Sequence, residues 1–168
     1  MGATTFSGPV KSLGGFISAG SDNDINITAD DTLTVQGFAG RMLRVNDADC
    51  KITLPTIVAT TPNDPTAPDQ TNNIGASFSF FIETTATNLD IKTDGTDKFV
   101  GGLYTGVTNA TGKTFIAGAA NDVITLNGTT KGGLAGSIIT VTAIASAKYS
   151  VSGFTLGSGT LVTPFADA

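Results

Sequence analysis

A chain of 168 residues without a histidine lacks the side chain that most often moves protons near neutral pH, orients a serine or cysteine nucleophile, or ligates zinc. Carboxylates are what remains for acid–base work. Glycoside hydrolysis needs two of them flanking the scissile bond, and the only glutamate, Glu83, lies in an alternating apolar segment with no acidic neighbour in sequence. The expectation is that the protein is not an enzyme.

Other motifs carry equally little chemistry. Gly106 to Thr114 ends in Gly112, Lys113 and Thr114 like a phosphate-binding loop, but five residues separate its glycines where the cradle needs four. A phosphate loop must also open a helix, and Phe115 to Ala120 continue as a strand and turn. Asp22 and Asp24, with Asp30 and Asp31, form acidic turns rich in oxygen, yet they lack the glycine and terminal glutamate of a calcium loop and suit ordinary Asx-turns. The triplets starting at Asn26, Asn109 and Asn127 match glycosylation acceptors by composition alone and receive no role. Cys50 is the single cysteine, so no intrachain disulfide forms and the residue reads as a small core side chain. No cofactor or metal is expected.

Charge narrows the partners. Charged residues are only 14% of the chain and the net charge is −5, with nine basic residues scattered singly. Nucleic-acid affinity draws on clustered Lys and Arg, so DNA and RNA are not expected ligands. Met1 to Phe6 show neither a basic nor an apolar leader region, and no apolar run approaches a membrane span. The chain is expected to stay soluble and off the membrane.

The elements that would position any site are strands. Thr, Ser, Asn and Gly replace the charged residues of an average surface, and β-branched Thr favours sheets. Alternation of period two predicts strands at 32–36, 41–45, 51–54, 77–83, 89–93, 99–104, 114–117, 123–126, 137–144 and 148–154. Asp94-Gly95 and Asn127-Gly128 supply the positive φ of tight hairpins. Core candidates are Phe78, Phe80, Phe81, Ile91, Phe99, Ile116, Ile124, Leu126, Ile139, Val141 and Tyr149. Residues 1–20, punctuated by Gly8-Pro9 and Gly14-Gly15, read as an extended N-terminal arm. Residues 21–168 read as an antiparallel β-sandwich or jelly-roll-like barrel, with a proline-rich projecting loop at 60–73.

The segment from Phe6 through Ser7, Gly8, Pro9, Val10 and Lys11 to Gly15 and Phe16 resembles the N-terminus of small virion structural proteins of tailed bacteriophages. Residues 32–35, 43–46, 52–55, 78–82, 123–128 and 149–153 are similar, in pattern and order, to β domains of phage head decoration and fibre proteins. The resemblance implies a capsid decoration or cement protein that binds the outer surface of the shell and reinforces contacts between major capsid protein subunits. It also implies a homotrimer, made in the host cytoplasm and located on the outer capsid surface. Phe6, Pro9, Val10, Lys11 and Phe16 become the expected capsid contacts. The alternative is a receptor- or glycan-binding β module of a fibre or bacterial surface protein.

Overall fold

A computed structural model describes residues 24–59 and 72–168. Twelve strands run through it: β1 (Asp24–Ile27), β2 (Asp31–Thr32), β3 (Met42–Val45), β4 (Lys51–Thr53), β5 (Ser77–Ile82), β6 (Leu89–Lys92), β7 (Lys98–Val107), β8 (Ala110–Ile116), β9 (Val123–Leu126), β10 (Ile138–Ala145), β11 (Lys148–Gly157) and β12 (Phe165–Ala166). They form a seven-stranded sheet in the order β1-β3-β5-β10-β11-β7-β8 and a five-stranded sheet in the order β12-β9-β6-β4-β2.

The all-β class holds, and both sheets line one continuous core. Strand β5 shows how the sequence achieves this. Phe78, Phe80 and Ile82 turn inward and are fully buried, while Ser77, Ser79 and Phe81 face away. Each buried side chain of this size stabilises the fold by about 1.5–3 kcal/mol. Leu43 and Val45, Ile139 and Val141, and Tyr149 and Val151 extend the inner face across the large sheet, and Ile52, Ile91, Ile124 and Leu126 meet them from the small one. Cys50 is buried among them. Burial first, and the nearby carboxylates of Asp47 and Asp30 next, push its thiol up to about 11, which keeps it protonated and inert.

The pairing is mixed rather than antiparallel throughout. Strands β1, β3 and β5 run parallel, as do β2, β4 and β6, and β7 with β11. The cause is a chain that alternates between the sheets from β1 to β6, so each strand's neighbour is two elements away and enters in the same direction. Asp94-Gly95 and Asn127-Gly128 have the expected geometry, with φ of 91° at Gly95 and 67° at Gly128. They turn corners between sheets instead of closing hairpins. The hairpins are β7–β8, through Asn109 at φ 59°, and β10–β11, through Ala147 at φ 56°.

Two further expectations give way. The strand expected at 32–36 ends at Thr32, and Val35–Phe38 make one helical turn (α1). The Thr34 hydroxyl accepts the Gly37 N–H at 3.2 Å, an N-cap that outweighs the local strand preference. Ile116, taken for core, is 69% exposed on edge strand β8, and Phe81 is only partly buried on the outer face of β5. The arm at 1–20 lies outside the described residues, as does most of the 60–73 loop. The flanks of that loop are held firmly. Asn73 accepts the Val58 N–H at 2.8 Å and donates to the Thr56 carbonyl at 2.9 Å, and Asp97 accepts the Ile57 N–H at 2.7 Å.

Candidate interaction face

The outer face of the large sheet is where the fold exposes apolar side chains together. Register aligns Phe81 on β5 with Ile138 on β10, Ile138 with Phe154 on β11, and Phe154 with Tyr104 on β7. Ile116 on β8 lies opposite Gly102, one outward-facing step along β7 from Tyr104. Ile138 is 44% exposed, Phe154 48% and Tyr104 43%. The two aromatic rings stack with centroids 5.6 Å apart. Glycine makes room for them, since a Cβ on Gly106 would stand 2.9 Å from the Phe154 ring.

Beside this band the middle of the face is neutral, with Lys148 at the start of the β11 row. Ser77, Ser79, Thr140, Thr142, Ser150 and Ser152 stand on three adjacent strands. Ser79 and Thr140 share a hydrogen bond at 3.3 Å, and Thr142 donates to Ser77 at 3.0 Å. Charge returns at the margin, where Arg44 donates Nε to both carboxylate oxygens of Asp24 at 2.9 Å and Nη1 to Glu83 at 2.7 Å. The hydrogen bond to Asp24 leads in raising the Arg44 pKa, against the opposing cost of burial, and the Glu83 charge adds to it. Sequence gave Glu83 no acidic neighbour, whereas the fold sets Asp24 across the same guanidinium. Both carboxylates are thereby engaged in ion pairs.

The remaining motifs take structural places. Gly106 to Thr114 form the β7–β8 hairpin, which runs from strand to strand and opens no helix, and Lys113 donates to the Leu161 carbonyl at 3.2 Å. Asp30 accepts the Lys51 N–H at 2.8 Å. With Asp31, Thr32, Thr53 and Lys92 it lines an open polar hollow of about 280 Å³ on the small sheet. Asp22 lies outside the described residues, and no group of three or more metal-ligating side chains occurs among the described residues. Phe6, Pro9, Val10, Lys11 and Phe16, the expected capsid contacts, also lie outside them.

Sequence reasoning missed the exposed band, although a signal for it exists. In a strand of period two, adjacent apolar residues cannot both face the core. Phe80-Phe81, Phe115-Ile116 and Ile138-Ile139 are such pairs, and one member of each lies on the outer face. No family model, curated protein or solved structure matches the chain.

Proposed function

We propose that the protein is a structural component of a phage virion, a capsid decoration or cement protein that binds major capsid protein subunits. The observation that supports an assembly role most is the outer face of the large sheet, a wide surface of Ser, Thr and exposed apolar side chains, with Arg44 and Lys148 at its margins, suited to contact with protein. The likeness of residues 6–16 to virion proteins supplies the class of partner. Strand β1, the first described strand, lies at an edge of that same sheet. An arm that gains order on binding gives a large contact area at an entropic cost met at the moment of assembly. Deleting residues 1–16 is expected to abolish co-sedimentation with capsids while the circular dichroism spectrum and melting temperature stay unchanged. Full co-sedimentation of the deleted protein would refute the reading.

A second reading follows from one observation. The stacked, half-exposed Tyr104 and Phe154 are the kind of platform on which sugar rings lie, which favours a glycan-binding module as the alternative.

A further inference from the structure

We propose that the band formed by Phe81, Ile138, Phe154, Tyr104 and Ile116 is the surface through which a second copy of this chain docks, face to face about a two-fold axis. The assignment rests on the assembly role proposed above, replaces the trimer implied by the resemblance with a two-fold pair, and names a partner for the body distinct from the capsid contact of the arm.

Area is the first argument. The exposed parts of Ile116, Ile138, Phe154 and Tyr104 together present roughly 400 Å² of mostly apolar surface, within the range of the largest patch on a typical monomer. That is about half of the roughly 800 Å² per partner that a standard interface buries. The neighbouring Ser and Thr rows on β5, β10 and β11 supply the remainder as a polar surround.

Charge selects the occupant. The chain carries a net charge of −5, so two copies repel on approach unless they meet where neither presents charge. The outward side chains at the middle of β5, β10 and β11 are Ser, Thr, Ile and Phe alone; Arg44, next to Phe81 in register, bounds the band at one end with its charge met by Asp24 and Glu83, and Lys148 stands at the start of the β11 row. Such a face has no charge pattern with which to select an oppositely charged stranger. It does match itself. A two-fold axis through the band lays apolar side chains on apolar side chains and hydroxyl rows on hydroxyl rows, the isologous arrangement of most homodimers. Two sheets packed this way sit about 10 Å apart with their side chains interdigitated. The Phe154 ring lies over Gly106 and against Tyr104, half exposed, so its outer side is what the opposing surface would meet.

The test is sedimentation equilibrium of the full chain at micromolar concentrations, beside Phe154→Glu and, as a second variant at the band's edge, Ile116→Lys. Both positions are exposed, and circular dichroism and melting temperature verify that each variant folds. The wild type is expected to dimerise, and either variant to weaken association about a hundredfold. A monomeric wild type overturns the proposal, as does a dimer or trimer that survives both substitutions. A monomer whose Tyr104→Ala variant alone loses binding on a glycan array overturns it in favour of a sugar ligand. Capsid co-sedimentation of Phe154→Glu is read separately. Retained binding by a monomeric variant supports this interface together with the arm contact. A wild type that dimerises through the band but never binds capsids supports the interface and refutes only the decoration role.

Discussion

Replacing Tyr149 by Phe removes one oxygen from the middle of the molecule and is expected to make stability cross over with pH. The ring is fully buried, and its hydroxyl donates to the carbonyl of Pro55, which tethers the stretch leading to Val58 to the start of β11. Phe keeps the packing and leaves that carbonyl without its donor, at a cost of about 1–2 kcal/mol. For a domain of this length that lowers the melting temperature by about 2–4 °C per kcal/mol at neutral pH. Burial foremost, with the charges of Asp97 and Asp94 adding, raises the Tyr149 pKa well above its ordinary value of 10. A group whose folded pKa is raised contributes stability that is complete below the unfolded pKa and lost as pH climbs toward the folded one. Above pH 10 the unfolded phenol ionises while the folded one does not, so the wild type loses about 1.4 kcal/mol per pH unit relative to the variant. The advantage of the wild type is therefore expected to vanish about 0.7 to 1.5 units above pH 10 and then reverse. Urea denaturation of both proteins from pH 7 to 11.5 measures the gap directly. A gap that stays constant across that range would refute the reasoning, and so would the lack of any gap at pH 7.

Two further predictions concern turns and strands. Burial tends to raise the Asp94 carboxyl, but hydrogen bonds from Thr96, from Thr56 and from the amides of Asp97 and Thr96 outweigh it and hold the pKa at about 2. A lowered folded pKa contributes stability above about pH 4 that is lost toward pH 2. Asp94 is exposed, so after allowance for solvent screening Asp94→Asn is expected to cost about 1 kcal/mol at pH 7 and to flatten the urea midpoint between pH 4 and 2. In β11, a Cβ on Gly153 would stand 2.4 Å from the Ile138 carbonyl oxygen. Gly153→Ala is expected to destabilise by about 2 kcal/mol or more as β10 and β11 are forced apart, seen as a lower denaturation midpoint; an unchanged midpoint would show that the strands can yield.

The sequence made the strands legible where side chains alternate cleanly. Leu89 to Lys92 and Val123 to Leu126 were read within a residue of their ends, because their inward residues are Leu, Ile or Val. Partner choice was not legible. Alternation states which face of a strand is buried but not which strand lies beside it, so the parallel ladders of β1, β3 and β5 left no local trace. Turn chemistry misled for a related reason. The positive φ of Gly95 and Gly128 is real, yet it serves corners between sheets, while the β10–β11 hairpin turns through Ala147, a residue with no turn signal. The exposed band escaped notice because doubled apolar residues such as Phe115-Ile116 look like extra core until their register is known.

The parallel ladder between β7 and β11 joins Lys98 with Lys148 at one end and Val107 with Gly157 at the other. Three strands, β8, β9 and β10, are threaded between these partners along the chain, so the middle of the large sheet cannot close until β11 has been made. Closure over such long spans is entropically slow, and little is gained before the last contacts form. During synthesis, then, the earlier strands wait with open edges, and a chain cut short before β11 is expected to be cleared by proteases instead of surviving as a smaller working part.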